Sequence, residues 1–217
     1  MAPTGMAPTT QRAARAGRKP RNRYHHGDLR RALLNEAVRT IRENGVDALT
    51  LRAAGARLNV SRSAMYRHFA DKSALLEAVA TEGFRMLREQ LAAAWSATGA
   101  DHAQFAAMGM AYVRFAVDNP SHYRVMFGGF LRGDCRTPEL LTEASGAFQL
   151  LVDAVVSLQR ERLVKADDPM QLAQFVWATV HGVAMLAIDG QFQHQGANVD
   201  DVAAYAIMRL RTGIAAE

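Results

Sequence analysis

The sequence predicts an all-α protein with about nine helices. In every periodic segment the apolar residues recur at helical spacing, and no segment alternates apolar and polar residues as a half-buried strand does. The composition is that of an ordinary soluble globular chain, with 217 residues of which 49% are hydrophobic and 22% charged. The single cysteine, Cys135, excludes an internal disulfide or a thiolate metal cluster and fits a reducing, cytoplasmic location.

The N-terminal part of the chain is strongly basic. Residues 1–88 contain 17 Lys and Arg against 7 Asp and Glu, whereas residues 89–217 contain 9 against 14. This asymmetry favours a polyanion such as the DNA backbone as partner of the first part; the alternative is a solvated charged surface. Residues 1–22 hold no acid and show no periodicity, so we predict a disordered basic arm that follows phosphates or enters a minor groove. The alternative is an arm that contacts nothing.

Four helices are predicted in the part of the chain that follows the arm. Gly45 ends the first helix, and Asn59, which tolerates positive φ, supplies a tight turn after the short second helix. The third helix is expected to end at Phe69, with Met65 and Phe69 turned inward because they are four residues apart. Each helix has an N-cap candidate whose side chain accepts a hydrogen bond: Asp28, Thr50, Ser61 and Asp71.

Five further helices are predicted after residue 95, over 102–119, 121–127, 138–165, 169–188 and about 198–211. Asp168 followed by Pro169 is a strong start signal, because it places a capping acid before proline at the first helical position. The segment Met170–Ile188 carries no formal charge, but Gln171 and His181 make it too polar for a ~20-residue membrane span. We therefore expect no membrane association and interpret this helix as buried, for example at a subunit interface.

Residues 50–69 have the properties of a DNA-reading helix-turn-helix motif. Small residues allow the second helix to cross the third closely, and Val60 is expected to fill the angle between them. The third helix presents small or hydrogen-bonding side chains and no acid, which an ordinary surface helix would have no reason to exclude. The small residues at the crossing are Ala53, Ala54, Gly55 and Ala56.

This motif resembles that of the TetR family of bacterial transcription regulators. The matching residues are Leu-Thr-Leu-Arg at 49–52, Val-Ser at 60–61, Met-Tyr-Arg-His-Phe at 65–69, Asp-Lys at 71–72 and Leu-Leu at 75–76. Asn59 replaces the usual turn glycine. Gly55 stands where alanine is usual, which weakens the second helix by up to ~1 kcal/mol. The resemblance implies a tetR-type DNA-binding domain over residues 27–87, built on a three-helix core.

The resemblance also implies which residues contact DNA. Thr50 would bind a phosphate, Arg52 a phosphate or a base edge, and Arg62 a guanine in the major groove. Tyr66, His68 and Lys72 are expected to clamp phosphates without reading sequence, and Arg67 to do either. The complete predicted set is Thr50, Arg52, Ser61, Arg62, Ser63, Ala64, Tyr66, Arg67, His68 and Lys72.

The second half resembles a TetR-like C-terminal domain of the subgroup with a Trp-x-x-x-His-Gly signature, here Trp177, His181 and Gly182. This implies a regulatory domain over residues 88–217 and a homodimer through helices 169–188 and 198–211. The alternative is that these helices are buried within one subunit. The resemblance also implies a ligand pocket, although the same residues would suit a plain core. Its expected lining residues are Phe105, Met108, Tyr112, Phe115, Tyr123, Met126, Phe130, Phe148, Trp177 and His181.

The resemblance to the family further implies a homodimeric repressor that binds a near-palindromic operator in double-stranded DNA and leaves it when a small apolar molecule binds. The chain has no Gly-rich phosphate loop and no metal-ligand spacing, so we expect neither an enzyme nor a cofactor or metal site. The alternative within DNA binding is an architectural protein that responds to no ligand.

Overall fold

The structure, a computed structural model, describes residues 26–95, 101–131 and 136–216, and the predicted arm at 1–22 lies outside these ranges. The all-α prediction is confirmed, and the described residues form ten helices. Their only β pairing is an isolated antiparallel bridge between Val164 and Ala215. The helices are α1 His26–Asn44, α2 Leu51–Arg57, α3 Arg62–Tyr66, α4 Lys72–Ala94, α5 His102–Asp118, α6 Pro120–Phe127, α7 Pro138–Arg160, α8 Pro169–Ile188, α9 Gln191–His194 and α10 Val199–Ile214.

The predicted caps at four helix starts are confirmed. The Thr50 hydroxyl accepts a hydrogen bond from the Ala53 amide at 3.1 Å, and the Ser61 hydroxyl accepts one from the Ala64 amide at 3.3 Å. Asp71 and Asp168 cap α4 and α8 through their carboxylates, at 2.8 and 2.9 Å. Gly45 and Asn59 adopt positive φ, at 80° and 53°, as the predicted terminator of α1 and turn after α2.

Several helix boundaries differ from the prediction. The first helix begins at His26, so Asp28 lies in its first turn, and α3 ends at Tyr66 with Arg67 as its C-cap. Helix α7 ends at Arg160 because Arg162 adopts a φ of 57° and turns the chain, which brings Val164 to Ala215. The last helix continues to Ile214. The one-turn helix α9, which follows Gly190 with a φ of 72°, was not predicted.

Helix α4 connects the two halves of the protein. Five residues separate it from α3, and it packs against α1, α5, α6 and α7. Helix α8 packs against α5, α7 and α10. Gly83 allows α4 and α6 to approach closely, because a Cβ at this position would lie 2.6 Å from the Met126 sulfur. One continuous hydrophobic core joins the helices of both halves.

Helices α7 and α8 are long and apolar enough, by length and composition alone, to cross a membrane. Core helices of soluble proteins meet the same criterion. Both helices pack against each other and against neighbouring helices of the bundle, which is the role of core helices.

Candidate DNA-binding surface and ligand cavity

The helix-turn-helix is held by a small buried core between α2 and α3. Leu51 and Ala54 of α2 are buried, as are Met65 and Phe69, which confirms the predicted inward pair. The Val60 amide donates to the Gly55 carbonyl at 3.0 Å and closes the turn. These contacts direct the opposite face of α3 towards solvent.

Most of the predicted DNA-contact residues are exposed to solvent. Ala64, His68 and Lys72 are half-buried, and the Lys72 ammonium donates to the Asp47 carbonyl at 3.4 Å. Arg62 and Tyr66 lie together, with the guanidinium carbon 5.4 Å from the ring centroid, in the range of a cation–π contact. They form the wall of a surface groove whose other lining residues are Arg52, Ala56, Val60 and Met65. The exposed members of the set are Thr50, Arg52, Ser61, Arg62, Ser63, Tyr66 and Arg67.

A buried carboxylate fixes α2 against α1, a feature that the sequence did not reveal. Glu36 of α1 accepts hydrogen bonds from Arg39 at 2.6 Å and from Arg57 of α2 at 3.2 Å. Thr40 donates to the same carboxylate at 3.2 Å. Burial raises the pKa of Glu36, but the hydrogen bonds from the two arginines outweigh burial and hold this pKa below its ordinary value. The helix that supports α3 is therefore anchored by an ionised group.

An apolar cavity of about 320 Å³ lies in the second half of the protein. Helices α4, α5, α7, α8 and α10 supply most of its wall, and none of its lining residues is charged. Three lining side chains carry hydrogen-bonding groups: Tyr112, Gln174 and Trp177. Gln174 and Trp177 are also its exposed members, which places its opening beside α8. The apolar lining consists of Phe84, Leu87, Leu91, Phe105, Met108, Gly109, Phe127, Ala144, Ala147, Phe148, Leu151, Val176, Val180, Ile207 and Leu210.

Half of the predicted pocket residues line this cavity: Phe105, Met108, Tyr112, Phe148 and Trp177. The other five do not. Phe115 is fully buried in the core, Met126 packs on Gly83, and Phe130 is exposed beyond the end of α6. Tyr123 and His181 lie behind Tyr112 and contact it through their polar atoms. The α4 residues Phe84, Leu87 and Leu91 were missed, although their helical spacing placed them on one apolar face.

Four polar aromatic side chains form a cluster at one side of the cavity. The Trp177 indole nitrogen donates to the Tyr112 hydroxyl at 3.0 Å, and the Tyr123 hydroxyl donates to it at 3.0 Å. The His181 Nδ1 lies 2.7 Å from the Tyr123 oxygen and 3.1 Å from the Tyr112 oxygen. Burial raises the pKa of Tyr112 to about 12, raises the pKa of Tyr123 further and lowers the pKa of His181. All four groups are therefore neutral near pH 7.

The junction between α4 and α6 carries a partly buried pair of titratable side chains. His122 of α6 contacts Glu82 of α4 through Nε2 and Oε2 at 3.3 Å, and this hydrogen bond holds the pKa of Glu82 below its ordinary value. Arg124, one helical half-turn further on, donates to the Ile188 carbonyl at the end of α8 at 2.8 Å. Helix α6 is thus tied to both α4 and α8.

Helices α8 and α10 expose an apolar surface. Phe175 and Leu186 on α8 are 51% and 47% exposed, and Tyr205 and Met208 on α10 are 62% and 44% exposed. Gly182 lies between the two α8 side chains, and a Cβ there would meet open space. Large exposed apolar side chains on two adjacent helices are unusual for a free surface and typical of an interface. Among the described residues, no cluster of three or more His, Cys, Asp or Glu side chains is placed to hold a metal ion.

Comparison with known proteins agrees with these features. Residues 33–79 match the family model for bacterial regulatory proteins of the tetR family, and residues 105–210 match the model for a tetracyclin repressor-like C-terminal domain. No curated protein matches the chain.

Solved structures show the same fold. A protein of unknown function from Rhodococcus sp. RHA1 is 34% identical, with a TM-score of 0.79 over 90% of this chain and 100% of that chain. A tetR-family regulatory protein from Rhodococcus RHA1 is 19% identical, with a TM-score of 0.68 over 87% and 97% of the two chains. The ketosteroid transcriptional regulator KstR2 of Mycobacterium tuberculosis is 16% identical, with a TM-score of 0.65 over 87% and 96%. The family models and this shared fold show that the chain belongs to the tetR family of DNA-binding transcription regulators.

Proposed function

We propose that the protein is a homodimeric, cytoplasmic repressor whose affinity for its operator falls when a small apolar molecule fills the cavity. The observation that carries this proposal is the course of α4. Its first residue, Lys72, lies on the predicted DNA surface, and Phe84, Leu87 and Leu91 further along the same helix line the cavity. A displacement of α4 by a ligand would therefore move the helix-turn-helix as well.

The exposed face of α3 supports direct reading of the operator. Arg62 in its first turn has the reach and the donors to bind guanine, and Tyr66 holds its guanidinium to one side of the helix. Thr50 and Lys72 flank this helix and suit phosphate contacts. The other predicted residues are proposed to contact DNA from the same surface: Arg52, Ser61, Ser63, Ala64, Arg67 and His68.

The apolar surface of α8 and α10 supports dimerisation through these two helices. A second copy would cover the exposed side chains Phe175, Leu186, Tyr205 and Met208, and the open space at Gly182 would admit the partner helix closely. A two-fold dimer presents two recognition helices to half-sites ~34–36 Å apart, which requires a near-palindromic operator. The ligand needs to favour only a different spacing of these helices, and ~1–3 kcal/mol of coupling gives a roughly 5–150-fold change in operator affinity.

The test uses an operator obtained by binding-site selection and a fluorescence anisotropy titration of that DNA with and without butylbenzene. Ala144 lines the cavity, so Ala144→Leu should fill part of it and abolish the response to butylbenzene. Ala107, an exposed residue of α5 outside the cavity, provides the matched control, because Ala107→Leu should respond as the unmodified protein does. If apolar compounds bind in the cavity and leave operator affinity unchanged, the protein is a ligand-independent DNA-binding protein instead.

A further inference from the structure

We infer that the Trp177 and His181 signature, acting through Tyr112, makes this cavity selective for an uncharged apolar molecule that carries one hydrogen-bond acceptor. The inference rests on the proposed function only in treating the cavity as the effector site. It adds the chemical class of the effector and a task for the signature residues.

The lining of the cavity excludes a charged ligand. None of the described lining residues is ionisable near pH 7, so a carboxylate or an ammonium group would lose its hydration without gaining a counter-charge. The volume of about 320 Å³ sets the size. Since an apolar cavity of ~150 Å³ holds benzene, this one suits a molecule with on the order of a dozen non-hydrogen atoms.

The polar cluster directs one donor towards the ligand. The Tyr112 oxygen already accepts two hydrogen bonds, from the Trp177 indole and from the Tyr123 hydroxyl, each at 3.0 Å. A hydroxyl oxygen has two lone pairs, so Tyr112 can accept no more and can act only as a donor. Because burial raises the pKa of Tyr112 to about 12, the hydroxyl keeps the proton that it has to donate.

The hydrogen bond that His181 makes leaves the Tyr112 proton without an acceptor inside the cluster. The Tyr123 hydroxyl donates its hydrogen bond to Tyr112, so its oxygen can accept a hydrogen bond from His181 Nδ1 across the shorter distance of 2.7 Å. In this arrangement Nδ1 carries hydrogen and offers no lone pair to Tyr112, 3.1 Å away. Tyr112 lines the cavity, whereas Tyr123 does not, so the acceptor that we infer for this unused proton is a molecule in the cavity. A carbonyl or ether oxygen is the group that would accept it.

Isothermal titration calorimetry of the full-length protein with four probes of similar shape tests this inference. Benzylacetone carries a ketone, butylbenzene has no polar group, phenylbutyrate is an anion and phenylbutylamine is a cation. We expect benzylacetone to bind roughly 2–10-fold more tightly than butylbenzene, the gain of one hydrogen bond, and at least about tenfold more tightly than either ion.

Two variants separate the donors. Tyr112→Phe should bring the affinity ratio of benzylacetone to butylbenzene close to unity, whereas Gln174→Leu, which removes the amide at the opening, should leave that ratio elevated. The ratio is the readout because general destabilisation would weaken both probes alike. As a measurement that needs no variant, the carbonyl stretch of bound benzylacetone in the unmodified protein should lie below its frequency in hexane, since a hydrogen bond weakens the carbonyl bond.

The inference is overturned if none of the four probes binds, if an ion binds best, if the ratio survives Tyr112→Phe, or if the carbonyl stretch matches that in hexane. Absence of binding by all four probes would also count against the proposed function, but the other three outcomes are distinct from its failure. Ketone-selective binding that leaves operator affinity unchanged would refute ligand release alone. Release of the operator by butylbenzene and benzylacetone with equal affinities would refute the selectivity alone.

Discussion

Gly55→Ala provides a sharp test of how the helix-turn-helix is packed, because two effects predict opposite signs. In a solvent-exposed helix this change stabilises by roughly 0.8–1 kcal/mol, since glycine is the poorer helix former. In this structure, however, a Cβ at Gly55 would overlap the Met65 sulfur and lie 2.7 Å from the Met65 methyl carbon. Met65 is only 3% exposed, so its side chain would have to leave its packed conformation to make room for the added methyl group.

Overpacking of a buried site costs ~1–3 kcal/mol, which exceeds the gain in helix propensity. We therefore expect Gly55→Ala to lower the free energy of unfolding by up to ~2 kcal/mol. Met65→Leu alone should also destabilise, because the shorter side chain leaves the space above Gly55 empty. The double variant combines the added methyl group with the shorter leucine side chain, so its loss of stability should be smaller than the sum of the losses in the two single variants.

The measurement is urea denaturation followed by far-UV circular dichroism at one fixed protein concentration, since dimerisation makes apparent stability concentration-dependent. Gly213→Ala is the matched control, because Gly213 lies in α10 with open space at its Cβ position and should gain up to ~1 kcal/mol. An increase in the urea midpoint for Gly55→Ala, similar to that for Gly213→Ala, would show that Met65 does not require the glycine. Additive effects in the double variant would lead to the same conclusion.

Four further predictions concern DNA binding, assembly and pH. Arg62→Ala should cost ~1–3 kcal/mol on the cognate operator and relax the preference at one base pair per half-site, whereas Lys72→Ala should weaken all sequences about equally; binding-site selection on both variants compares them. Gly182→Glu should place an unpaired charge in the dimer interface and yield monomers in analytical ultracentrifugation, and intact dimers would move the interface elsewhere. Deleting residues 1–22 should weaken specific and random DNA alike and reduce the salt slope by roughly one unit per lost phosphate contact, and an unchanged slope would mean that the arm is idle. The pKa of Glu36 is lowered on folding, so its contribution is present above its unfolded pKa and is lost as the pH falls through its folded pKa; Glu36→Gln should therefore flatten the acid limb of a stability-versus-pH profile, and an unaltered limb would contradict this role.

Local signals in the sequence were sufficient to predict most of the helices. An N-cap acts within three residues, so Thr50, Ser61, Asp71 and Asp168 could be identified without knowledge of the fold. The turn at Asn59 was predictable for the same reason. The end of α7 was not, because it depends on Arg162, a residue whose type gives no warning of a positive φ.

The cavity was only partly predictable, because it is made by helices far apart in the chain. A sequence pattern shows which face of a helix is apolar, but not whether that face packs tightly or borders an empty space. Phe115 and Phe105 lie on the same helix, yet Phe115 fills the core and Phe105 lines the cavity. Contacts such as that between Tyr123 and His181, 58 residues apart, could not be inferred from spacing within either helix.

The position of Trp177 has an optical consequence. Its indole lines the cavity, packs against Phe148 and His181, and keeps its nitrogen bonded to Tyr112. The chain has one other tryptophan, Trp95, which is not among the residues that line the cavity. Trp95→Phe would leave Trp177 as the single tryptophan, and its emission would report on the cavity wall. Occupancy could then be followed in unlabelled protein, during the same titration that measures release of DNA.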